Sequence, residues 1–384
     1  MKKIIIFSVL LVCSIPSLIG QDEIWYFGAG EDGLDFNTTP PTVISIPSPG
    51  GPPTGFYECS ASISDGGGNL LFYTDGLRIL NRNHAIMPNG NNLLGPNEPS
   101  GQTGSSSQGV IIVQDPGNSD RYYVLYSDCI HNNFGDGYRY SIVDMTLDGG
   151  NGDVVAGSKD LGILNGSSGN QSSEFLNAVC HQGVTWVVSH KVGSNEFMAH
   201  KIDATGIDLV PVVSPVGPAF TQLGHNRGTI SFSHAGDQLA MASGGLGVYM
   251  FDFDVELGIV SNATTIDSGS QYYYGTEWSP DNTKIYFSRY VSGTGAGLAQ
   301  YDLATTSIHS FPGRTLGSLR LAPDDKIYAA PGSPAGTALS VINNPNGLGA
   351  AANYVPDQQG GFSGGWILLG LPDNFLCNSV LTCE

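Results

Sequence analysis

Gly361-Phe362-Ser363-Gly364-Gly365 has the GxSxG spacing of a serine nucleophile on a strand-to-helix elbow. A strand-like run, Trp366 to Leu369, follows where the elbow needs a helix. With 53 glycines in 384 residues, the spacing also arises by chance. Ser363 therefore reads as a loop residue. Of the eight histidines, five lie between His181 and His234. His190, His200 and His225 are the set that a metal or acid–base site would draw on, whereas His181 and His234 fall in equivalent turns and read as exposed rim residues. Asp65, Asp115, Asp281, Asp324 and Asp373 recur in turn-like contexts. Their oxygens would suit calcium, but aspartate also bonds the backbone N–H groups of its own turn, and repetition at turn after turn favours that structural role. Cys59, Cys129 and Cys180 read as buried free thiols. Cys377 and Cys383 could close a small disulfide loop. CxxC and HExxH spacings are absent from the sequence.

The elements that must position these residues are repeated hairpins. Gly275 to Arg289, GTEWSPDNTKIYFSR, alternates through Thr276 and Trp278, turns at Ser279-Pro280-Asp281-Asn282 and resumes with Ile285-Tyr286-Phe287. The same shape recurs at 60–76, 109–128, 177–190, 229–243 and 317–331. Five of the six units, all but 60–76, are followed by a third strand-like run: Tyr138 to Asp144, Phe197 to Ile202, Val248 to Asp252, Leu298 to Asp302 and Ala338 to Ile342. Such spacing is that of propeller blades, each unable to bury both faces of its sheet alone. Six units and two incomplete ends predict an all-β, seven-bladed β-propeller, with six or eight blades as alternatives. Trp25 to Ile46 and Trp366 to Leu371 would share a blade and close the ring. The stretches Asn89 to Gln108 and Gly157 to Ser173 read as surface loops, and no amphipathic helix of ten residues is apparent.

Lys2 and Lys3, the apolar run Ile4 to Val12 and the small residues after it read as a secretory signal peptide over residues 1–20, leaving Gln21 first. The propeller is then expected over 21–376 and a C-terminal tail over 377–384. A formal charge of −19, two units more negative without Lys2 and Lys3, repels phosphate backbones and excludes nucleic acid as an expected partner. Beyond the leader, no run is long and apolar enough to span a membrane. Only 13% of residues are charged, which fits tight turns between short strands. A monomer, exported to the extracellular space or the outer cell surface, is the expectation.

A propeller offers a site at the mouth of its channel. Glu58, Gln108, Asn177, Arg227, Glu277 and Arg320 lie near the expected starts of the inner strands, and Tyr274 closes the Tyr272-Tyr273-Tyr274 run beside them. Their mixed charges and amides could converge on a ligand; they could equally pair with one another. The tyrosines could stack on a sugar or a protein partner, or pack between blades.

The ordered motifs WYFG…GLDF (25–36), ECSASISDGGGNLLFYTDGLRILNRNHAIMPNG (58–90), VYMFDFDVELGIVSN (248–262), YGTEWSPDNTKIYFSR (274–289), LRLAPDDKIYAAP (319–331) and GLPDNF (370–375) resemble one family. It is the N-terminal propeller region of large secreted Bacteroidota proteins that often carry a gliding-motility-associated C-terminal domain, the type B sorting signal of type IX secretion. The SPDN-type hairpins alone resemble TolB-like repeats. The resemblance implies export and a propeller, and no catalytic residues. Residues 377–384 are then either the start of a downstream region or the end of a stand-alone propeller. The expected function is a non-catalytic binding or scaffold module for a glycan or an extracellular protein. A channel-centred hydrolase or lyase and a calcium-stabilised structural module are the alternatives; no other cofactor is expected.

Overall fold

The computed structural model describes residues 22–28, 32–46, 56, 58–96, 104–167, 169–268, 272–290, 297–362, 366–373, 375 and 377. The leader, Ser363 and Cys383 lie outside them. Seven antiparallel sheets follow one another along the chain as the blades of a β-propeller. Blade 1 holds strands Ile24–Phe27, Asp32–Asp35 and Thr42–Ser45, and blade 2 holds Ala61–Ser64, Leu70–Thr74 and Ile79–Asn81. Blade 3 begins with Val110–Gln114, blade 4 with Ser172–His181, blade 5 with Gly228–Phe232, blade 6 with Tyr273–Trp278 and blade 7 with Leu316–Leu321. Each of these first strands lies at the inner edge of its blade and pairs with the next strand across a hairpin. All six expected hairpins are present. Helical structure among the described residues is confined to four short 3-10 turns.

Alternation explains why the middle strands are apolar along their length. In Lys284–Arg289, Ile285 and Phe287 pack with Ala240, Ala242 and Trp278 toward blade 5, while Tyr286 packs with Leu319, Ile327 and Ala329 toward blade 7. A period of two thus feeds two cores when both faces of a sheet are covered. Polar stitches cross the same seams: Trp278 Nε1 donates to the Ser231 carbonyl (3.0 Å) and Ser288 Oγ to the Gly317 carbonyl (2.7 Å).

The ring closes where the chain ends meet. Trp25, Phe27, Ile367 and Leu371 share one core with Tyr328 and Val341 of blade 7. The C-terminal run makes separate bridges: Ile367 pairs with Gly336, and Pro372 with Ser60. Ser318 N–H donates to the Leu369 carbonyl (2.6 Å) and Asp373 N–H to the Ser60 carbonyl (2.7 Å). The run therefore lies between the inner strands of blades 7 and 2, the place an innermost strand of the three-stranded blade 1 would fill. Two glycines permit that approach. A Cβ on Gly370 would sit 1.5 Å from the Glu58 carbonyl oxygen, and one on Gly317 would sit 2.2 Å from that of Leu369. Trp25 is fully buried, whereas Trp366 is exposed.

Two loop expectations need correction. Leu161–Leu164 is a strand paired with Tyr138–Asp144, and blade 4 already begins at Ser172. Ser105 to Gln108 are buried. Serine-rich composition marked these stretches as surface, but small hydroxyl residues also fit the crowded centre of a propeller, where they bond neighbouring backbone.

The disulfide is also corrected. Cys377 bonds Cys180, 197 residues away, and not Cys383. Cys180 is the last residue but one of the blade 4 inner strand, at its hairpin turn, and the C-terminal segment passes over the channel to reach it. Cys59 and Cys129 are buried and make no disulfide among the described residues.

Candidate functional site

The inner strands run from a start end of the channel to a turn end, where their hairpins lie. A cavity of about 710 Å³ opens at the turn end. Its rim carries His181, His234 and Asp325 from three hairpin turns, and its deeper part carries Gln108, Thr229 and Ser318. Gln108, Asn177, Glu277 and Arg320 from the expected set line it. Glu58, Arg227 and Tyr274 do not; they stand at the start end. The split arises because the inner strands are longer than the alternating pattern suggested. Asn177 is the sixth residue of Ser172–His181, and Glu277 and Arg320 are each one residue from the turn end of their strands.

The cavity's amides are held by backbone. Gln108 Nε2 donates to the Ile230 carbonyl (2.9 Å), and its Oε1 accepts from Ile230 N–H (2.9 Å) and Leu176 N–H (3.3 Å). One side chain thus joins blades 3, 4 and 5. Asn177 Nδ2 donates to the Ile230 carbonyl as well (2.8 Å). Glu277 accepts Trp278 N–H on one oxygen (2.8 Å) and Leu321 N–H on the other (2.9 Å), tying blade 6 to blade 7. Asp22 accepts the Trp25 indole N–H (2.8 Å) and lies 3.9 Å from the Arg320 guanidinium. These fixed groups form a rigid wall.

Asp373 is different. It is nine-tenths buried, and Gln108 Nε2 reaches one of its oxygens at 3.4 Å. Among the described residues the other oxygen has no hydrogen-bond partner, and neither do Ser318 Oγ and Arg320 Nε. Burial pushes the Asp373 carboxyl well above the usual carboxylate range; Arg320 pulls it back in part, and Glu277 adds to the rise. Sequence reading placed Asp373 in a hairpin turn, because Pro372-Asp373-Asn374 repeats the letters of Pro280-Asp281-Asn282. No strand follows it among the described residues, and that missing partner was the available signal. Asp22 and Ser318 were missed as well.

The start end is built from Glu174, Arg227, Tyr272 and Tyr274. Glu174 is fully buried, yet one oxygen accepts Ser107 N–H (2.9 Å) and Oγ–H (2.8 Å) and the other accepts Ile130 N–H (2.9 Å). Burial raises its carboxyl, while those donors and the Arg227 charge oppose the rise. Arg227 donates to the Tyr272 hydroxyl and lies over that ring, 5.3 Å from its centre. Tyr273 and Tyr274 are buried and pack, whereas Tyr272 is half-buried beneath the Arg227 guanidinium.

The other candidates disperse. His190 is buried against Phe220, ring centres 3.8 Å apart, and burial lowers it to about 3. His200 bonds the Asp208 carbonyl (3.1 Å), and His225 sits in the 3-10 turn Leu223–Asn226. These three histidines do not form one site. Asp65, Asp115 and Asp281 accept N–H groups of their own turns, from Gly67 (2.8 Å), Gly117 (2.8 Å) and Thr283 (3.1 Å). Among the described residues, no group of three or more His, Cys, Asp or Glu side chains could hold a metal ion, and no helix is long and apolar enough to cross a membrane.

No family model and no curated protein matches the chain. Solved structures do. A Bacteroides uniformis protein carrying 6-phosphogluconolactonase as a suggested activity aligns with a TM-score of 0.54 at 11% identity, covering 91% of this chain and 97% of its own. A Bacteroides fragilis protein with the same suggested activity gives 0.55 at 10%, covering 92% and 99%. A β-propeller domain from Myceliophteria thermophila gives 0.47 at 10%, covering 81% and 94%. At these identities the likeness is one of fold.

Proposed function

We propose that this propeller is an exported, non-catalytic binding module whose glycan or protein ligand enters the turn-end cavity. One observation carries the reading. The cavity wall is fixed by backbone hydrogen bonds at Gln108, Asn177 and Glu277, while Asp373, Ser318 and Arg320 keep polar atoms without partners among the described residues. Such a wall is organised before a ligand arrives, which lowers the ordering cost of binding. The suggested activity of the two Bacteroides proteins does not transfer readily. Asp22, Glu277 and Asp373 face the cavity with Arg320 as the lone lysine or arginine among its lining residues, a balance that repels a phosphorylated sugar.

Export is supported by the leader-like residues 1–20 and by the Cys180–Cys377 disulfide, a bond that persists in oxidising compartments. The ordered motifs support placement beside the secreted Bacteroidota propellers of the type IX route. Mass spectrometry of the exported chain tests this; a first residue of Gln21 is expected, and retention of Met1 would contradict it.

Binding is tested by screening residues 21–384 against arrays of envelope and host glycans and by pull-down of extracellular proteins. A ligand held by the wild type should be lost from His234→Trp, which obstructs the rim, and changed in affinity by Arg320→Ala. A ligand held equally by all three would place binding elsewhere and overturn the cavity assignment.

A further inference from the structure

We infer that the turn-end cavity takes the basic side chain of a protein segment, a lysine or arginine whose cationic tip meets Asp373 and whose methylene stem lies along apolar surface. The inference rests on the binding-module reading above and narrows it to one ligand chemistry.

The argument begins with charge. Asp22, Glu23, Glu277 and Asp373 line the cavity, Asp325 stands at its rim, and Arg320 is the cation among them. Arg320 is already shared with Asp22, and both Glu277 oxygens hold backbone N–H groups. Asp373 keeps an oxygen with no partner among the described residues although it is nine-tenths buried. A buried carboxylate in that condition is costly, and a cation brought to it removes the cost while making a charge-assisted hydrogen bond. Among the described residues no three such side chains gather to hold a metal ion, and a single carboxylate suits the one charged tip of an organic cation carried on a stem.

Depth supplies the stem. Gln108 and Ser318 mark the deep part, and Asp373 lies beside Gln108. Phe232 is the turn-side residue of Gly228–Phe232. Phe375 lies on the segment climbing from Asp373 to Cys377, which bonds Cys180 beside the rim residue His181. Phe36 is next to Asn37, whose side chain donates to the Gly68 carbonyl in the blade 2 hairpin turn (3.0 Å). Phe36, Phe232 and Phe375 are all among the residues lining the cavity, the first two mostly buried in their blade cores and Phe375 half-buried, so apolar surface accompanies the buried acid. Lysine and arginine combine an apolar stem with a charged tip, and this combination matches them. An amino sugar carries its charge on a hydroxyl-covered ring and would set hydroxyls against that surface. The chain's charge of −19 also draws basic segments toward it.

The test uses residues 21–384 and fluorescein-labelled, C-terminally amidated heptapeptides Gly-Ser-Gly-Xaa-Gly-Ser-Gly, with Xaa lysine, arginine, norleucine or glutamate, read by fluorescence anisotropy. The lysine or arginine peptide should bind, with norleucine and glutamate weaker. Asp373→Asn should weaken binding about 30-fold, as loss of one partner from a desolvated charge pair does. Its melting temperature, unchanged or raised, shows that the fold is kept. Equal binding of norleucine and lysine, or indifference to Asp373→Asn, overturns the inference. Glucosamine tetrasaccharide bound through Asp373 in place of the peptides would overturn the assignment to a protein segment. A neutral glycan from the array, bound in the cavity without regard to Asp373, would overturn this inference and leave the binding module standing. No binding of any of these would remove both.

Discussion

At the start end of the channel, Glu174 is fully buried and its two oxygens receive three donors from Ser107 and Ile130. At the turn end, Asp373 is almost as buried, yet one of its oxygens has no partner among the described residues. The same functional group thus serves two purposes within one channel. Where a carboxylate's acceptor capacity is filled by neighbouring blades, it works as a joint between them. Where capacity is left over in a cavity, it is available to a ligand. Charge and burial are alike at the two ends, so neither separates them; hydrogen-bond saturation does.

That contrast can be broken by substitution. Glu174→Ala strands buried N–H and hydroxyl donors and leaves Arg227 without its facing charge, so it should cost about 4 kcal/mol of stability. Urea unfolding measures this; a loss below about 1 kcal/mol would mean that the start end is no joint. The Cys180→Ser/Cys377→Ser double variant frees the segment that carries Asp373 and Phe375 over the turn end. A loss of about 3 kcal/mol, within the usual range for removing a disulfide, is expected. Any cavity ligand should weaken in parallel, and unaltered binding would show that the segment is not part of the site.

Behind the start end, His190 supplies a pH test. Its folded-state pKa, lowered by burial to about 3, lies below the ordinary histidine value of 6.5. The unfolded chain therefore takes up a proton that the folded chain refuses. The stability this group contributes is complete above pH 6.5 and falls as pH drops toward 3. His190→Phe should remove about 2 kcal/mol of the loss between pH 6.5 and 5, read from unfolding curves at the two pH values. An identical acid slope in the variant would contradict a neutral buried ring. The smallest effect should come from Asp373→Asn, which leaves stability at pH 7 within about 0.5 kcal/mol or raises it. A large loss there would make Asp373 a joint like Glu174, and the contrast would disappear.

The hairpins were legible because their information is local. Alternation over Thr276 to Trp278, a turn set by Pro280 and Asp281, and β-branched or aromatic residues after it specify two paired strands without reference to the rest of the chain. Gln108, Asn177, Glu277 and Arg320 could be placed in the channel for the same reason: each lies in or beside a recognisable inner strand. Their separation from Glu58, Arg227 and Tyr274 was not legible. It depends on where each inner strand begins, and Ser172 and Ser173, which open the blade 4 inner strand, read as the end of a polar loop.

The sequence by itself determined a ring of seven small sheets, because periodicity and turn chemistry act over a few residues. Only the tertiary structure decided how the ring was joined and where it could bind. Pro280-Asp281-Asn282 and Pro372-Asp373-Asn374 are identical triplets. Asp281 accepts the N–H of its own turn at Thr283, whereas Asp373, carried between the inner strands of blades 7 and 2, faces the cavity with an oxygen unclaimed among the described residues. Cys377 likewise finds Cys180 and not the nearer Cys383, because the path of the C-terminal segment across the channel sets which sulfurs meet. Local rules fix what a residue can do, and the burial and partners that decide which of those things it does come from chain segments hundreds of residues away.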